Sequence, residues 1–366
     1  MTPTLRVGLD GRAFDSPAAG VRRYVRELTR ALLALGEPLT LVALGGNAAS
    51  CAGLEYVAEP WHPPTNLGWS MVGVMRAARR AALNVYHAPA YTAPPVGIRR
   101  MVITLHDVSY ERRPEWYPHR RDHLRRSFYR ASAKAADLVI TDSEFSRQEI
   151  VAAYGIPDHQ IRVIPLGATS GFAPADGTVP PDCPDPPFVL HVGDLHTRRN
   201  LEVALDAVLR LRARGGPCRD LTLVLAGLDR GLLPVLQRRA ADAGQPVALK
   251  MMGHVDEATL LGLYQSALAL VYPSRYEGFG LPMVEAMASG APVLAADVST
   301  SHEVIADAGL RLPVGDSVAW ANAIEALVIA PEKRAEFRER GLRRAQAFTW
   351  RRTAEATYAV YRECAE

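Results

Sequence analysis

The run Ala267-Leu-Ala-Leu-Val-Tyr272, followed by Pro273-Ser-Arg-Tyr-Glu277-Gly278-Phe279-Gly280-Leu281-Pro-Met-Val-Glu285, decides how this 366-residue chain is read. Its first six residues are apolar and of strand length. Pro273-Ser274 punctuates them, Gly278 and Gly280 make a flexible loop, and residues 281–289 have the pattern of a helix. A strand, a glycine loop and a helix N-terminus in succession offer exposed N–H groups and the positive end of a helix dipole to an anion. Glu277 and Glu285, eight positions apart, would repel phosphate, but carboxylates accept hydroxyls strongly and in pairs. Phosphate on the backbone and hydroxyls on the acids match a nucleotide sugar.

Composition narrows the remainder. Forty-eight per cent apolar and 22% charged residues describe a globular chain, long enough for two ordinary domains. A formal charge of +3 is too small to imply a nucleic-acid partner. Cys51, Cys183, Cys218 and Cys364 are scattered, without C-x-x-C spacing. Neither a disulfide framework nor a zinc site is expected, and a reducing compartment fits. Strand-like residues 5–9 begin without a signal-peptide h-region, and no apolar run approaches the roughly 20 residues needed to span a bilayer. The expected location is cytoplasmic, at most peripheral at the inner face of the membrane.

Strand-like and helix-like runs alternate throughout, the pattern of parallel α/β sheets. In the first half the strands are expected at 5–9, 39–44, 84–87, 101–105, 138–141 and 161–165, with helices such as 21–35 and 123–136. Residues 167–187 are rich in Pro and Gly and read as a linker with a surface loop. A second series follows at 188–192, 221–226, 247–251, 267–272 and 292–295. Both series open with an apolar strand, a glycine turn (Val7-Gly8, then Val192-Gly193) and an amphipathic helix. Two Rossmann-like domains facing each other are expected: residues 1–168, a linker at 169–187, and residues 188–348. Neither opening matches G-x-G-x-x-G, and no P-loop is present, so no nicotinamide, flavin or other cofactor is expected.

The string from Glu277 to Val293, E-G-F-G-L-P-x-x-E-A-M-A-x-G-x-P-V, resembles the E-x7-E signature of retaining family-4 glycosyltransferases, which have the GT-B fold. The resemblance implies that Glu277 contacts hydroxyls of the donor sugar and Glu285 the ribose. Gly278, Phe279, Gly280 and Leu281 would supply backbone donors. His191-Val-Gly-Asp-Leu-His-Thr-Arg-Arg-Asn200 resembles the family's V-G-x-x-x-x-R-K-N element, with Arg199 in the usual Lys position. Gly193, Arg198 and Arg199 would then meet the pyrophosphate, Arg with a planar fork. Asp194 departs from the Arg the family often has after the glycine. Ser299-Thr-Ser-His302-Glu303 departs too, lacking the common Pro, with Glu303 expected near the nucleotide.

Gly20-Val-Arg-Arg23-Tyr24 resembles the family's G-V/I-x-R-Y element, and Thr104-Leu-His106-Asp107 ends a strand where the family places a polar group beside the sugar. His106, Arg199 and Glu277 are therefore the expected catalytic set. Gly20 is expected at the donor phosphates, and Arg23, Tyr24, Asp107, Trp61 and Asn66 at the acceptor, with His62 and Trp69 in the same loop. The family's last helix returns to the first domain, here 349–366. No Asp-x-Asp motif is present, so no metal is expected, and retention implies a front-side displacement in which the leaving phosphate takes the acceptor's proton.

Arg112, Arg113, Arg120, Arg121, Arg125, Arg126 and Arg130, interleaved with Trp116, Tyr117, Phe128 and Tyr129, suit peripheral contact with an anionic membrane. His106-Asp107 and the 114–118 segment look most like mannosyltransferases of bacterial surface polysaccharide assembly. GDP-mannose is the expected donor and a glycan or lipid-linked molecule the acceptor. A UDP-sugar donor, a GT-B epimerase and a non-catalytic nucleotide-sugar sensor stay open as alternatives. A phosphorylase would need a pyridoxal-binding lysine, and only Lys134, Lys250 and Lys333 exist, none in such a context.

Overall fold

A computed structural model describes residues 4–61, 65–117, 122–169, 171–175, 183–185 and 187–366. His62, Pro118, Arg120, Arg121 and most of the Pro-rich linker lie outside the described residues. The chain divides into two compact units, Met1–Gly167 with Trp350–Glu366, and Ala168–Thr349.

In the first unit, β1 (Leu5–Asp10), β2 (Leu39–Leu44), β3 (Glu55–Val57), β4 (Val85–Ala88), β5 (Met101–Thr104), β6 (Leu138–Thr141) and β7 (Ile161–Val163) form one sheet, in the order β3-β2-β1-β4-β5-β6-β7. In the second, β8 (Phe188–Val192), β9 (Thr222–Ala226), β10 (Leu249–Gly253), β11 (Ala269–Tyr272), β12 (Val293–Ala296) and β13 (Leu310–Leu312) follow the order β10-β9-β8-β11-β12-β13. Every pairing is parallel. Each sheet thus winds outward from its first strand in both directions. The crevice where a doubly wound sheet binds ligands lies at β1/β4 in one unit and β8/β11 in the other, at the strands' C-terminal ends.

Helices on both faces bury the strands, which is why they read as unbroken apolar runs rather than alternating ones. Val42, Ala43 and Leu44 of β2 and all of β8 except Val192 are essentially inaccessible. Helix Ala19–Ala34 buries Val21, Tyr24, Val25, Leu28 and Leu32, a stripe at three- and four-residue spacing. In the second unit Leu205 and Val208 of helix Leu201–Arg214 share a core with Trp320, Ile324 and Leu327 of helix Ser317–Ile329.

The C-terminal helix Trp350–Ala365 belongs to the first unit and is tied there by a buried polar chain. Tyr361 Oη lies 2.7 Å from His87 Nδ1, His87 Nε2 lies 2.8 Å from Thr104 Oγ1, and Thr104 Oγ1 lies 2.9 Å from Tyr24 Oη. Thr353 Oγ1 also donates to the Pro165 carbonyl at 2.8 Å.

Three expectations shift. Gly8 is not a turn: β1 continues to Asp10, and Gly8 makes room for Leu83, whose Cδ1 would lie 2.3 Å from an added Cβ. The turn is made at Gly11, where a Cβ would sit 2.0 Å from the Gly45 carbonyl oxygen. The strand expected at 247–251 begins at Leu249, because Pro246–Ala248 forms a 3-10 turn. Part of the linker is seated on the second unit, with Phe172 edge-on to Tyr264 at 5.8 Å and the Ala173 carbonyl accepting from Gln265. The edge strands β3 and β13, three residues each, carry no sequence pattern long enough to find.

Burial, with His106 nearby, lowers the His87 pKa to about 3. Its folded value lies below the unfolded one, so the unfolded chain binds more protons between the two and stability falls as pH drops below about 6.5. Unfolding by urea is expected to need about 2 kcal/mol less at pH 5 than at pH 7 on account of this residue alone. His87→Gln, weaker at neutral pH, should show a correspondingly flatter pH dependence.

Candidate active site

In the second unit, the loops leaving β8 and β11 flank the switch point and bring Arg199 and Glu277 together. Arg199 ends a 3-10 turn, Thr197–Arg199, and is followed by Asn200 in a left-handed conformation with φ of 55°. The Asn200 amide donates to the Pro273 and Val314 carbonyls at 3.2 and 2.7 Å, locking the β8 loop to the β11 loop. Arg275 N donates to the Arg198 carbonyl at 2.9 Å across the same seam. From this frame Arg199 Nη1 reaches Tyr272 Oη at 2.5 Å and Ser274 Oγ at 3.4 Å, and it forms an ion pair with Glu277 Oε1.

Both charges of this pair are largely out of water, at 12% and 7% side-chain exposure. Burial opposes charge on Arg199, but the Glu277 carboxylate outweighs it and holds the guanidinium protonated. Gly193 stands against the guanidinium: an added Cβ would lie 3.2 Å from Nη2, in a backbone with φ of 131°. Beneath, His191 stacks on Tyr272 at 5.8 Å between ring centroids and donates Nδ1–H to the Val271 carbonyl. Burial, then Arg199, lowers its pKa to about 3, so it is a neutral support.

Residues Glu277 to Gly280 are buried, and Gly280, with φ of 93°, caps helix Leu281–Ala288 without any side-chain cap. The N–H groups of Phe279, Gly280 and Leu281 donate to no acceptor among the described residues, as expected of an uncapped helix start. Phe279 packs edge-on against Phe348 at 5.7 Å. Glu285 lies a turn further along, 1% exposed, with Oε2 accepting from Tyr264 Oη at 3.0 Å. Thr300 Oγ1 donates to the Glu277 carbonyl at 2.7 Å, tying the loop to helix Ser299–Val304. That helix holds Glu303, while the exposed His302 meets Asp297 at 2.7 Å.

Asp194 gathers a cation from a neighbouring loop: its Oδ2 is 2.8 Å from Arg230 Nη2, so a guanidinium still stands at this rim. Sequence reasoning missed Arg230, Tyr272, Ser274, Asn200, Thr300 and Tyr264. Only Asn200 carried a signal, as the third residue of the R-R-N element.

In the first unit His106 follows β5, and its Nδ1 lies 2.8 Å from Asp142 Oδ2, after β6. Two of the residues expected at the acceptor have partners within their own unit. Tyr24 is 1% exposed with its hydroxyl engaged by Thr104, and it supports the His106 ring, edge-on at 4.7 Å. Asp107, 8% exposed, accepts from Ser109 N and Oγ at 2.9 and 2.7 Å and works as a turn cap. Gly20 faces open space on the first turn of its helix, and Arg23 is half-buried beside it.

Asn66 is drawn to the end of β1, where its Oδ1 accepts from Arg12 at 3.1 Å. Arg12 is also paired with Asp10 at 3.0 Å and lies 4.7 Å over the Trp69 ring, whose Nε1 donates to Asp10. Trp61 is 40% exposed. Asp10 and Arg12 were not anticipated. Much of the arginine cluster is neutralised internally: Glu111 pairs with Arg126 and Arg130, Glu149 with Arg112, and Asp122 with Arg125. Among the described residues, no three His, Cys, Asp or Glu side chains are grouped as metal ligands would be.

Two parallel doubly wound units with these loops define a glycosyltransferase of the GT-B class. Residues 18–169 match the model of Glycosyltransferase Family 4, and residues 181–344 that of Glycosyl transferases group 1. O-antigen chain mannosyltransferase B of Escherichia coli is 30% identical over 293 residues, 76% of this chain and 74% of that protein. The chain belongs to glycosyltransferase family 4. Among solved structures, sucrose-phosphate synthase from Thermosynechococcus elongatus superposes with a TM-score of 0.77 at 21% identity, covering 98% of both chains. Anabaena HepE in complex with UDP gives 0.72 at 20% identity, covering 98% of this chain and all of that one.

The buried ion pair makes a double-mutant cycle informative. Arg199→Ala alone is expected to cost about 3–5 kcal/mol, because Glu277 is left buried without a countercharge. Arg199→Met with Glu277→Leu should unfold in urea closer to wild type than either single change. Additive losses would mean that the two charges do not share one environment.

Proposed function

We propose that the chain transfers a hexose, with retention of configuration, from a nucleotide diphosphate sugar to a glycan or lipid-linked acceptor in the synthesis of a bacterial surface polysaccharide. The observation that carries this reading is the Arg199–Glu277 pair at the β8/β11 switch point, beside the uncapped start of helix Leu281–Ala288. A guanidinium and free backbone donors suit a diphosphate, and a carboxylate fixed beside them suits the hydroxyls of the attached sugar. Arg199 and Arg198 take the diphosphate with the amides of Phe279, Gly280 and Leu281. Glu277 takes sugar hydroxyls, Glu285, fixed by Tyr264, takes the ribose, and His106 meets the sugar.

A rate gain of a millionfold corresponds to about 8 kcal/mol. A charge-assisted hydrogen bond contributes about 1.5–3 kcal/mol, and a helix terminus up to about 2. Several groups must therefore act together on the leaving diphosphate. In the front-side displacement proposed, that oxygen accepts the acceptor's proton as the C–O bond breaks, and no metal is required. The similarity to a mannosyltransferase favours GDP-mannose as donor. The UDP held by HepE is the reason to test uridine donors beside it.

Purified protein should hydrolyse or transfer from one member of a panel of GDP- and UDP-sugars, and Glu277→Ala should lower that rate by about 100-fold or more, as loss of two charge-assisted hydrogen bonds would. Equal rates in the variant would remove the assignment. The rate should be unchanged by EDTA, and activity lost to the chelator and restored by manganese would refute metal independence.

A further inference from the structure

We propose that Asp142 is a positioning residue for His106: its carboxylate accepts the Nδ1 proton and aims the imidazole Nε2–H at a hydroxyl of the donor sugar. The proposal deepens the glycosyl-transfer reading and rests on it for the identity of the ligand. Its geometric basis is independent.

β5 and β6 pair in parallel with Thr104 opposite Ile140. Two residues beyond that pair on each strand stand His106 and Asp142, so the register itself sets them side by side. The strand ends are pinned there. Leu105 N donates to the Ile140 carbonyl at 2.8 Å, and Thr141 Oγ1 donates to the Leu105 carbonyl at 2.7 Å. Ser146 Oγ donates to the His106 carbonyl at 3.1 Å from helix Glu144–Tyr154, which begins directly after the Asp142-Ser143 turn. The imidazole cannot swing: Tyr24 meets it edge-on at 4.7 Å and Tyr91 at 6.0 Å. Tyr91 itself is held with φ of 48°, an unfavourable conformation for a tyrosine and of a kind that gathers at functional sites.

A purely structural pair would use up its polar atoms. This one does not. His106 Nε2 and Asp142 Oδ1 are both buried and neither makes a hydrogen bond of good geometry, the Pro89 carbonyl being the one backbone acceptor close to the ring. The ring therefore has one nitrogen committed to Asp142 and the other, near the Pro89 carbonyl, not held by a bond of good geometry, at the C-terminal end of a parallel strand, where open sheets of this kind receive ligands. Because a carboxylate can only accept, the Nδ1 position carries the proton, and a second proton on Nε2 makes the imidazolium a donor.

The groups facing the ring are Asp142 from the end of β6, Asp107 from its own loop, Tyr24 from helix Ala19–Ala34, Tyr91 from the loop after β4, the Pro89 carbonyl, and His87 from β4. Burial opposes the imidazolium, but Asp142, by charge and hydrogen bond, overcomes it and raises the His106 pKa. A raised folded value means that the charged donor persists to higher pH than in an ordinary histidine and is lost as pH rises through that value.

Asp142→Asn and Asp142→Ala separate the two parts of the role. The Asn amide oxygen still accepts from Nδ1 and keeps the ring in place, but the charge support is gone. Ala removes both. In the ligand-free protein, the His106 C2–H resonance should titrate above the ordinary histidine range in wild type and at lower pH in Asp142→Asn. With the donor sugar found by the panel above, Asp142→Asn should move the basic limb of kcat down by about one pH unit, a roughly tenfold loss at pH values above the wild-type limb. Activity should recover as pH is lowered, with the donor KM changed by less than about threefold. Asp142→Ala should be impaired at every pH.

An unmoved His106 titration, or a pH profile in Asp142→Asn that superimposes on wild type, overturns the positioning role in an active enzyme. If wild type acts on no nucleotide sugar, the glycosyl-transfer reading fails and takes the ligand assignment with it, whatever the titration shows.

Discussion

Parallel strand pairing places the ends of successive strands on one rim, and this constraint governs where the chemistry of this chain can stand. In a parallel sheet every strand points the same way, so whatever follows the last paired residue of each strand emerges at the same edge. Both sheets wind outward from their first strand, leaving a gap between the departing loops of β8 and β11, and of β1 and β4. Arg199 and Glu277, 78 positions apart in sequence, meet because they leave neighbouring strands at one such gap. His106 and Asp142 meet because they occupy equivalent positions past two paired strands.

A second constraint is the cost of holding charge out of water. Arg199, Glu277, Glu285, His106 and Asp142 are all mostly buried, and each is held by a named partner. Such pairs contribute little net stability against apolar residues of the same shape, since desolvation offsets attraction. What they do is fix the geometry of these side chains, and fixed dipoles act most strongly where water is excluded. The neutral histidines show the complementary solution. His87 and His191, fully buried without a carboxylate beside them, give up their charge and serve as hydrogen-bonded struts. A carboxylate within reach, and not burial alone, distinguishes His106 from both.

Much of the architecture was legible along the chain. Strands 39–44, 138–141 and 188–192 coincide with the observed β2, β6 and β8, because a strand buried on both faces has to be an unbroken apolar run. The Glu277–Glu285 loop was readable because a strand, a glycine turn and a helix start are each local events. Failures came where local pattern and long-range packing part company. Gly8 reads as a turn but gives space to Leu83, 75 positions away. Tyr24 and Asp107 read as polar residues near a site, and only the structure adds that one hydroxyl is engaged by Thr104 of β5 and one carboxylate by its own turn. Asp142 gave no sign at all, since nothing in Thr141-Asp142-Ser143 says which strand lies alongside.

The amino-acid sequence alone determined the alternating α/β layout, the two sheets and the acid-flanked glycine loop before a helix start, because periodicity, turn residues and helix starts depend only on neighbours a few positions apart. The tertiary structure alone decided which charges are paired, which histidines are neutral and which hydroxyls are engaged. Those properties depend on exclusion from water and on contacts between strands and helices remote in sequence, and neither exists until the sheets have closed around their cores.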